Sequence, residues 1–161
     1  MIIFINGSIN SGKSTIAKLL ADKISNSALL EVDALRNFIK WMPLEESIPI
    51  NLENTVAVIK VFARNNINVI VPYPLDKEDY NYLTNQLREF KNDLYTFTLS
   101  PRLEIALQNR GSREITEWEK ERIKHHYNTG ISSPDFGVII DNSDETPEET
   151  TDKILQSLNK V

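Results

Sequence analysis

Ile2-Ile3-Phe4-Ile5-Asn6-Gly7-Ser8-Ile9-Asn10-Ser11-Gly12-Lys13-Ser14-Thr15 is the stretch that decides how this chain is read. It opens as a short apolar run, which suits a buried parallel strand. The run breaks at Gly7, and Gly7 to Ser14 then satisfies G-x-x-x-x-G-K-[ST] at every position. Each part has a physical task. Gly7 and Gly12 let the backbone turn tightly, so that the N–H groups of the loop, Asn10 and Ser11 among them, face phosphate oxygens. The helix that starts near Lys13 adds the positive end of its dipole. The Lys13 ammonium reaches the β and γ phosphates. The Ser14 hydroxyl is a hard oxygen for Mg²⁺, and Thr15 completes the turn. A chance match arises roughly once in two hundred chains of this size at ordinary residue usage. Here the motif also lies between a strand pattern and a helix pattern. The stretch predicts triphosphate binding and, taken alone, nothing about catalysis.

Working outward, short β-rich runs alternate with helical ones. Strands are expected at Ile2–Asn6, Ala28–Val32, Asn68–Val71, Leu94–Leu99 and Gly137–Asp141. Ile16, Leu19, Leu20 and Ile24 fall on one face of the first helix. Leu35, Phe38, Ile39 and Met42 give a short helix stopped by Pro43, and Leu52, Val56, Ile59 and Ala63 a third. Asp76 reads as the N-cap of a helix through Tyr80, Leu83, Leu87 and Phe90. Ser100-Pro101 reads as N-cap and N1 of a helix to about Asn109. Thr116–Glu119 and Thr146–Glu149 fit capping boxes. Five strands separated by helices predict an α/β domain with a mainly parallel sheet, covered on both faces. Ligands of such sheets sit beyond the carboxyl ends of the strands.

Composition narrows the class. The 161 residues fit a single domain, 1–161. There is no cysteine, which removes disulfides and thiolate chemistry and suits a cytoplasmic protein. The opening apolar residues are too few for a signal peptide, and no apolar run is long enough for a membrane span. With 18 Lys and Arg against 23 Asp and Glu, the net charge is −5, which argues against a fold-wide nucleic-acid face. The chain lacks the Asn-Lys-x-Asp segment of a GTPase. It also lacks the acidic residue a motor ATPase carries after a long apolar strand, since Val69-Ile70-Val71 runs into Pro72-Tyr73-Pro74-Leu75.

Asp33 lies just past the second strand, beside the phosphate end of the cleft; the alternative is that it merely caps the helix carrying Leu35. Arg36, one turn on, is either a holder of an anionic part of a substrate or a solvated helix residue. Tyr73 and Trp41 are either acceptor-pocket residues or core and rim aromatics. Adjacent helical His125 and His126 face different ways, which argues against a shared metal site.

These features together resemble a known family. The size, the phosphate loop, Glu31-Val32-Asp33 after strand two and the segment Asn109-Arg110-Gly111-Ser112-Arg113 look like the P-loop small-molecule kinases related to shikimate kinase, gluconate kinase and chloramphenicol phosphotransferase. These are akin to nucleoside monophosphate kinases. The resemblance implies a three-layer P-loop fold, a five-stranded parallel sheet of order 2-3-1-4-5 and a short lid around 109–117. It implies ATP and Mg²⁺, with Ser14 and Asp33 as oxygens for the metal. In the family the residue matching Asp33 binds the acceptor hydroxyl as base or orienter. The lid arginines, here Arg110 and Arg113, contact the nucleotide and the transferring phosphoryl. The loop matching Asp141-Asn142-Ser143 and Pro147 wraps the adenine. The implied activity is transfer of the γ-phosphoryl to a hydroxyl of a small molecule, with Asp33, Arg36 and Tyr73 as candidate acceptor-site residues. Shikimate kinase carries a glycine-rich segment where this chain has Pro72-Tyr73-Pro74-Leu75, so the acceptor stays open. Two other readings share the loop. A nucleotide sensor would need Lys13 and Ser14 but not Asp33. A polynucleotide 5′-hydroxyl kinase module would need a basic channel.

Overall fold

The computed structural model describes residues 1–109 and 114–158. Its centre is β1 (Ile2–Gly7), buried at every position, which is what an apolar run in the middle of a parallel sheet requires. The sheet has the order β2-β3-β1-β4-β5, with β2 at Ser27–Leu29, β3 at Asn68–Pro72, β4 at Leu94–Leu99 and β5 at Val138–Ile140. All four pairings are parallel; Ile3 lies in register with Ile70 on one side and Tyr95 on the other.

Strand alternation divides β1 between two cores. Ile2 and Phe4 pack with residues of α3 (Leu44–Arg64) and α4 (Lys77–Gln86), among them Leu52, Val56, Ile59 and Leu83. Ile3 and Ile5 pack on the opposite face with α1 (Lys13–Lys23) and α7 (Pro147–Leu158), through Ile16, Leu20 and Ile154. The result is the three-layer arrangement with helices on both faces of the sheet.

Between β2 and α3 the sequence reading is corrected. β2 ends at Leu29, three residues earlier than the run of apolar residues indicates, and Leu30 N–H makes a last bond to Ile70 O at 2.9 Å. The chain then turns into α2 (Val32–Leu35) and a 3₁₀ turn at Arg36–Ile39, in place of one helix to Met42. Phe38 is 83% exposed, so the apparent apolar face there does not meet the core. Pro43 does not stop a helix but is the N-cap of α3, which begins well before Leu52 and contains Pro49. That proline removes a donor from the exposed Glu45 carbonyl near the helix start, where solvent can replace it.

Later elements follow the sequence more closely. Asp76 caps α4 as expected, its side chain accepting from Asp79 N–H at 2.8 Å. The helix ends at Gln86 and a 3₁₀ stretch, Arg88–Asp93, carries the chain past Phe90. Ser100 and Pro101 do not start α5, which is only Leu103–Ala106 with Arg102 in the N-cap position; Ser100 instead extends the β4–β5 ladder, its N–H donating to Ile140 O at 2.8 Å. α6 (Glu117–Asn128) opens with a complete Thr116–Glu119 capping box.

Asn6 draws the strand exits together. Fully buried at the end of β1, it accepts from Leu75 N–H at 2.7 Å and donates to Thr98 Oγ1 at 3.1 Å and Ile131 O at 3.2 Å. Three chain segments are thereby fixed around the start of the phosphate loop by one satisfied amide.

Candidate active site

The loop after β1 needs glycine at both of its ends. Gly7 has φ +139°, and a Cβ there would lie 2.5 Å from Leu99 O and 2.7 Å from Ser11 Oγ. Gly12, at φ +99°, is the N-cap of α1. Asn10 also has positive φ, 61°, and its amide donates to Ala106 O and Gln108 O, both at 2.9 Å. The loop is thus tied to the end of α5. Ser11 is buried beneath it, and the Asn142 side chain donates to its carbonyl at 3.0 Å.

Above the loop opens a cleft of about 830 Å³. Asn10, Gly12, Lys13, Ser14 and Thr15 line its floor, Asp33 with Pro72 and Pro74 another part of its wall, and Asn142, Glu145, Pro147 and Thr150 a further part. The structure thus brings together most of the positions singled out from sequence. Asp33 sits in the first turn of α2 and makes no capping bond; the residue in the N-cap position is Glu31. Two candidates stand apart from the cleft. Arg36 donates to Ser47 Oγ at 3.3 Å and Met42 O at 3.5 Å, bracing the turn before α3. Tyr73 packs against the core on the α3 and α4 side, and its phenol is pushed up by burial and by the charges of Asp79, Asp33 and Asp76. Arg110 and Arg113 lie outside the described residues.

Other residues reach the site without a sequence signal strong enough to single them out. Trp118 and Glu119 in the first turn of α6 line the cleft. Trp118 is 64% exposed, with the Arg122 guanidinium 5.9 Å from its ring. Glu119 is buried and its carboxylate accepts from Thr116 N–H and Oγ1. His126, farther along α6, is buried with Nδ1 3.3 Å from Ser8 Oγ. The Glu145 carboxylate accepts from Thr150 Oγ1 and pairs with Lys153.

Lys13 extends over the loop and donates to Ser8 O at 2.7 Å. Burial pushes its amine down to about 8, and the Asp33 carboxylate opposes that shift. The consequence has a definite sign. In the free protein Lys13 is charged below about pH 8 and neutral above it. Phosphates restore the charged form, so above that pH nucleotide binding takes up a proton. Affinity for ADP·Mg²⁺ is expected to be level from pH 7.5 to 8 and then to fall by up to about tenfold per pH unit. Calorimetry in buffers of different ionisation enthalpy would measure both the slope and the proton taken up; a level affinity to pH 9.5 would contradict the lowered amine.

No family model matches the chain. A stretch of 71 residues, 42% of the chain, is 35% identical to a bifunctional pantoate ligase/cytidylate kinase of Prochlorococcus marinus, and the match spans 14% of that protein's length. Solved structures match across nearly all of the chain. A gluconokinase from Sinorhizobium meliloti superposes with a TM-score of 0.71 at 17% identity, covering 98% of this chain and 91% of that one. The Mycobacterium tuberculosis APS kinase in complex with AMPPNP and APS gives 0.70 at 19% identity, covering 98% and 96%. The fold is that of the P-loop small-molecule kinases. Within this fold the cleft lies at the carboxyl ends of the parallel strands, as open α/β sheets place their ligands. Among the described residues no helix is long and apolar enough to cross a membrane.

Proposed function

We propose that the protein is an ATP-dependent kinase that transfers the γ-phosphoryl group to a hydroxyl of a small molecule. The observation that carries the reading is convergence: Lys13 and Ser14 from the first turn of α1, and Asp33 from the first turn of α2, line one cleft at the end of a parallel sheet. A sensor needs the first two and has no use for the third. The likeness to gluconokinase and APS kinase supports a small-molecule acceptor by analogy of fold.

The chain's own residues supply positioning and charge, which is most of what phosphoryl transfer requires. Loop N–H groups and the start of α1 hold the phosphates. Lys13 leaves Ser8 O and places its ammonium between the β and γ phosphates. Asp33 accepts a hydrogen bond from the acceptor hydroxyl and aims its oxygen in line. Asn142 and Pro147 hold the base. Arg110 and Arg113 are assigned, on the resemblance, to the nucleotide and the transferring group.

Mg²⁺ fits the donor set. Ser14 would offer it a hard oxygen at the phosphate end of the cleft, while Asp33, which lines the same cleft, is assigned to the acceptor hydroxyl. Holding Mg²⁺ by few protein oxygens and mostly through substrate phosphates and water is typical of kinases. When bound it neutralises charge on the phosphate oxygens.

Thermal unfolding with ATP·Mg²⁺ and a library of hydroxylated metabolites, nucleosides and antibiotics tests the proposal. ATP·Mg²⁺ is expected to raise Tm, by up to about 2.7 kcal/mol of stabilisation at a hundred times Kd. An acceptor adds a further rise and turns on ADP release. Stabilisation by ATP·Mg²⁺ with no acceptor-dependent ADP release across the library would favour a sensor. No stabilisation at millimolar nucleotide would remove the reading altogether.

A further inference from the structure

Buried His126 belongs to α6, yet its ring meets the phosphate loop, to which α6 is remote in sequence. Its Nδ1 lies 3.3 Å from Ser8 Oγ, across a separation of 118 residues, and both side chains are buried. Ser8 in turn offers its carbonyl to Lys13 Nζ at 2.7 Å. One residue of the loop is therefore held from behind by the imidazole and itself receives the catalytic ammonium in front.

The end of α6 that carries His126 is the anchored end. Tyr127 donates to Pro101 O, and Asn6, at the foot of the loop, donates to Ile131 O just past the helix. A ring mounted there is a fixed point for the loop. Its surroundings also fix its chemistry. Burial pushes it down to about 4, and the nearby Arg122, Lys13 and His125 add to the shift by opposing a positive charge on it. At neutral pH the imidazole is uncharged, so its Nδ1 shares a hydrogen bond with Ser8 Oγ and the ring adds no charge of its own behind the loop. The Nδ1 partner is the second residue of the phosphate-binding motif.

We propose that His126 is a positioning residue for nucleotide binding, acting through Ser8 to hold the phosphate loop in the shape that receives phosphate. The inference rests on the kinase reading only in so far as that reading requires nucleotide to bind.

Calorimetric titration with ADP·Mg²⁺ tests it on wild type, Ser8→Ala, His126→Leu, His126→Asn and the Ser8→Ala/His126→Leu double variant. Leu fills much of the ring volume without a polar atom, while Asn keeps one near the place of Nδ1. Ser8→Ala and His126→Leu are each expected to weaken ADP·Mg²⁺ by about three- to tenfold, the effect of one buried neutral hydrogen bond. The double variant should lose little more than either single one, because both remove the same link. His126→Asn should recover most of the affinity. Additive losses, or no rescue by Asn in a folded protein, would mean that His126 only packs. Should His126→Leu fail to fold, Ser8→Ala still decides: weakened binding supports the link and unchanged binding overturns it. Wild type that binds no ADP·Mg²⁺ would overturn the kinase reading as well, whereas wild-type binding matched by Ser8→Ala and His126→Leu overturns this inference alone.

Discussion

Lys13→Ala is expected to lower phosphoryl transfer by at least about 10³-fold, the scale of losing a preorganised charge on the transferring group. The free structure also predicts what this variant does not do. In the absence of nucleotide the Lys13 amine is pushed down to about 8 by burial, so the fold carries this charge at a cost. Removing it takes away one bond to Ser8 O, at 2.7 Å, and relieves the desolvation. Tm of the nucleotide-free protein should therefore stay close to wild type or rise, while the stabilisation by ATP·Mg²⁺ largely vanishes. Differential scanning measurements with and without nucleotide, beside a transfer assay, separate the two effects. A variant that simply unfolds would trace the loss of activity to the fold. A variant with wild-type turnover would remove Lys13, and with it the phosphate-loop assignment, from the mechanism.

The parts of this molecule that were legible in sequence are those whose causes are local. β1 and the loop behind it depend on adjacent residues: an apolar run, then glycines at φ values that exclude a Cβ. The capping boxes at Thr116–Glu119 and Thr146–Glu149 are each written within four residues. The segment from Leu30 to Leu52 was not legible, because apolar spacing there does not report burial. Phe38 satisfies a helical pattern and Trp41 reads as a pocket, core or rim aromatic, yet they stand 83% and 79% exposed, while Arg36 braces the turn through Ser47. Pro43 reads equally as a stop signal or as the start of a helix, and only the packing of α3 on β3 decides between them. The site was legible to the extent that it is the loop and its neighbours. Asn6, Ser8 and His126 act through bonds that span 69 to 125 residues, and no periodicity encodes such partners. The strand order likewise came from resemblance to a family, since alternation of strands and helices is compatible with several orders.

Asp33→Asn is expected to separate transfer from binding. The residue lines the cleft but is exposed, lies inside the first turn of α2 and caps nothing. The amide has nearly the same volume, and the fold loses only the interaction of a first-turn carboxylate with a four-residue helix, at most about 1 kcal/mol. Folding and ATP binding should therefore be close to wild type. Acceptor phosphorylation should fall by about 10²–10⁴-fold, because an amide can neither accept the hydroxyl proton nor orient the oxygen by charge. Hydrolysis by water needs less orientation and is expected to lose less. A second readout ties the variant to this cleft. The Asp33 charge opposes the burial that pushes Lys13 down. Without that charge the Lys13 amine deprotonates earlier, so the pH above which ADP·Mg²⁺ affinity falls should move below its wild-type position near pH 8. Acceptor-dependent ADP release and nucleotide affinity across pH 7 to 10, measured on both proteins, give all of these. Outright loss of ATP·Mg²⁺ binding would assign Asp33 to the metal shell. An unchanged transfer rate would overturn the proposed mechanism and return the cleft to the sensor reading.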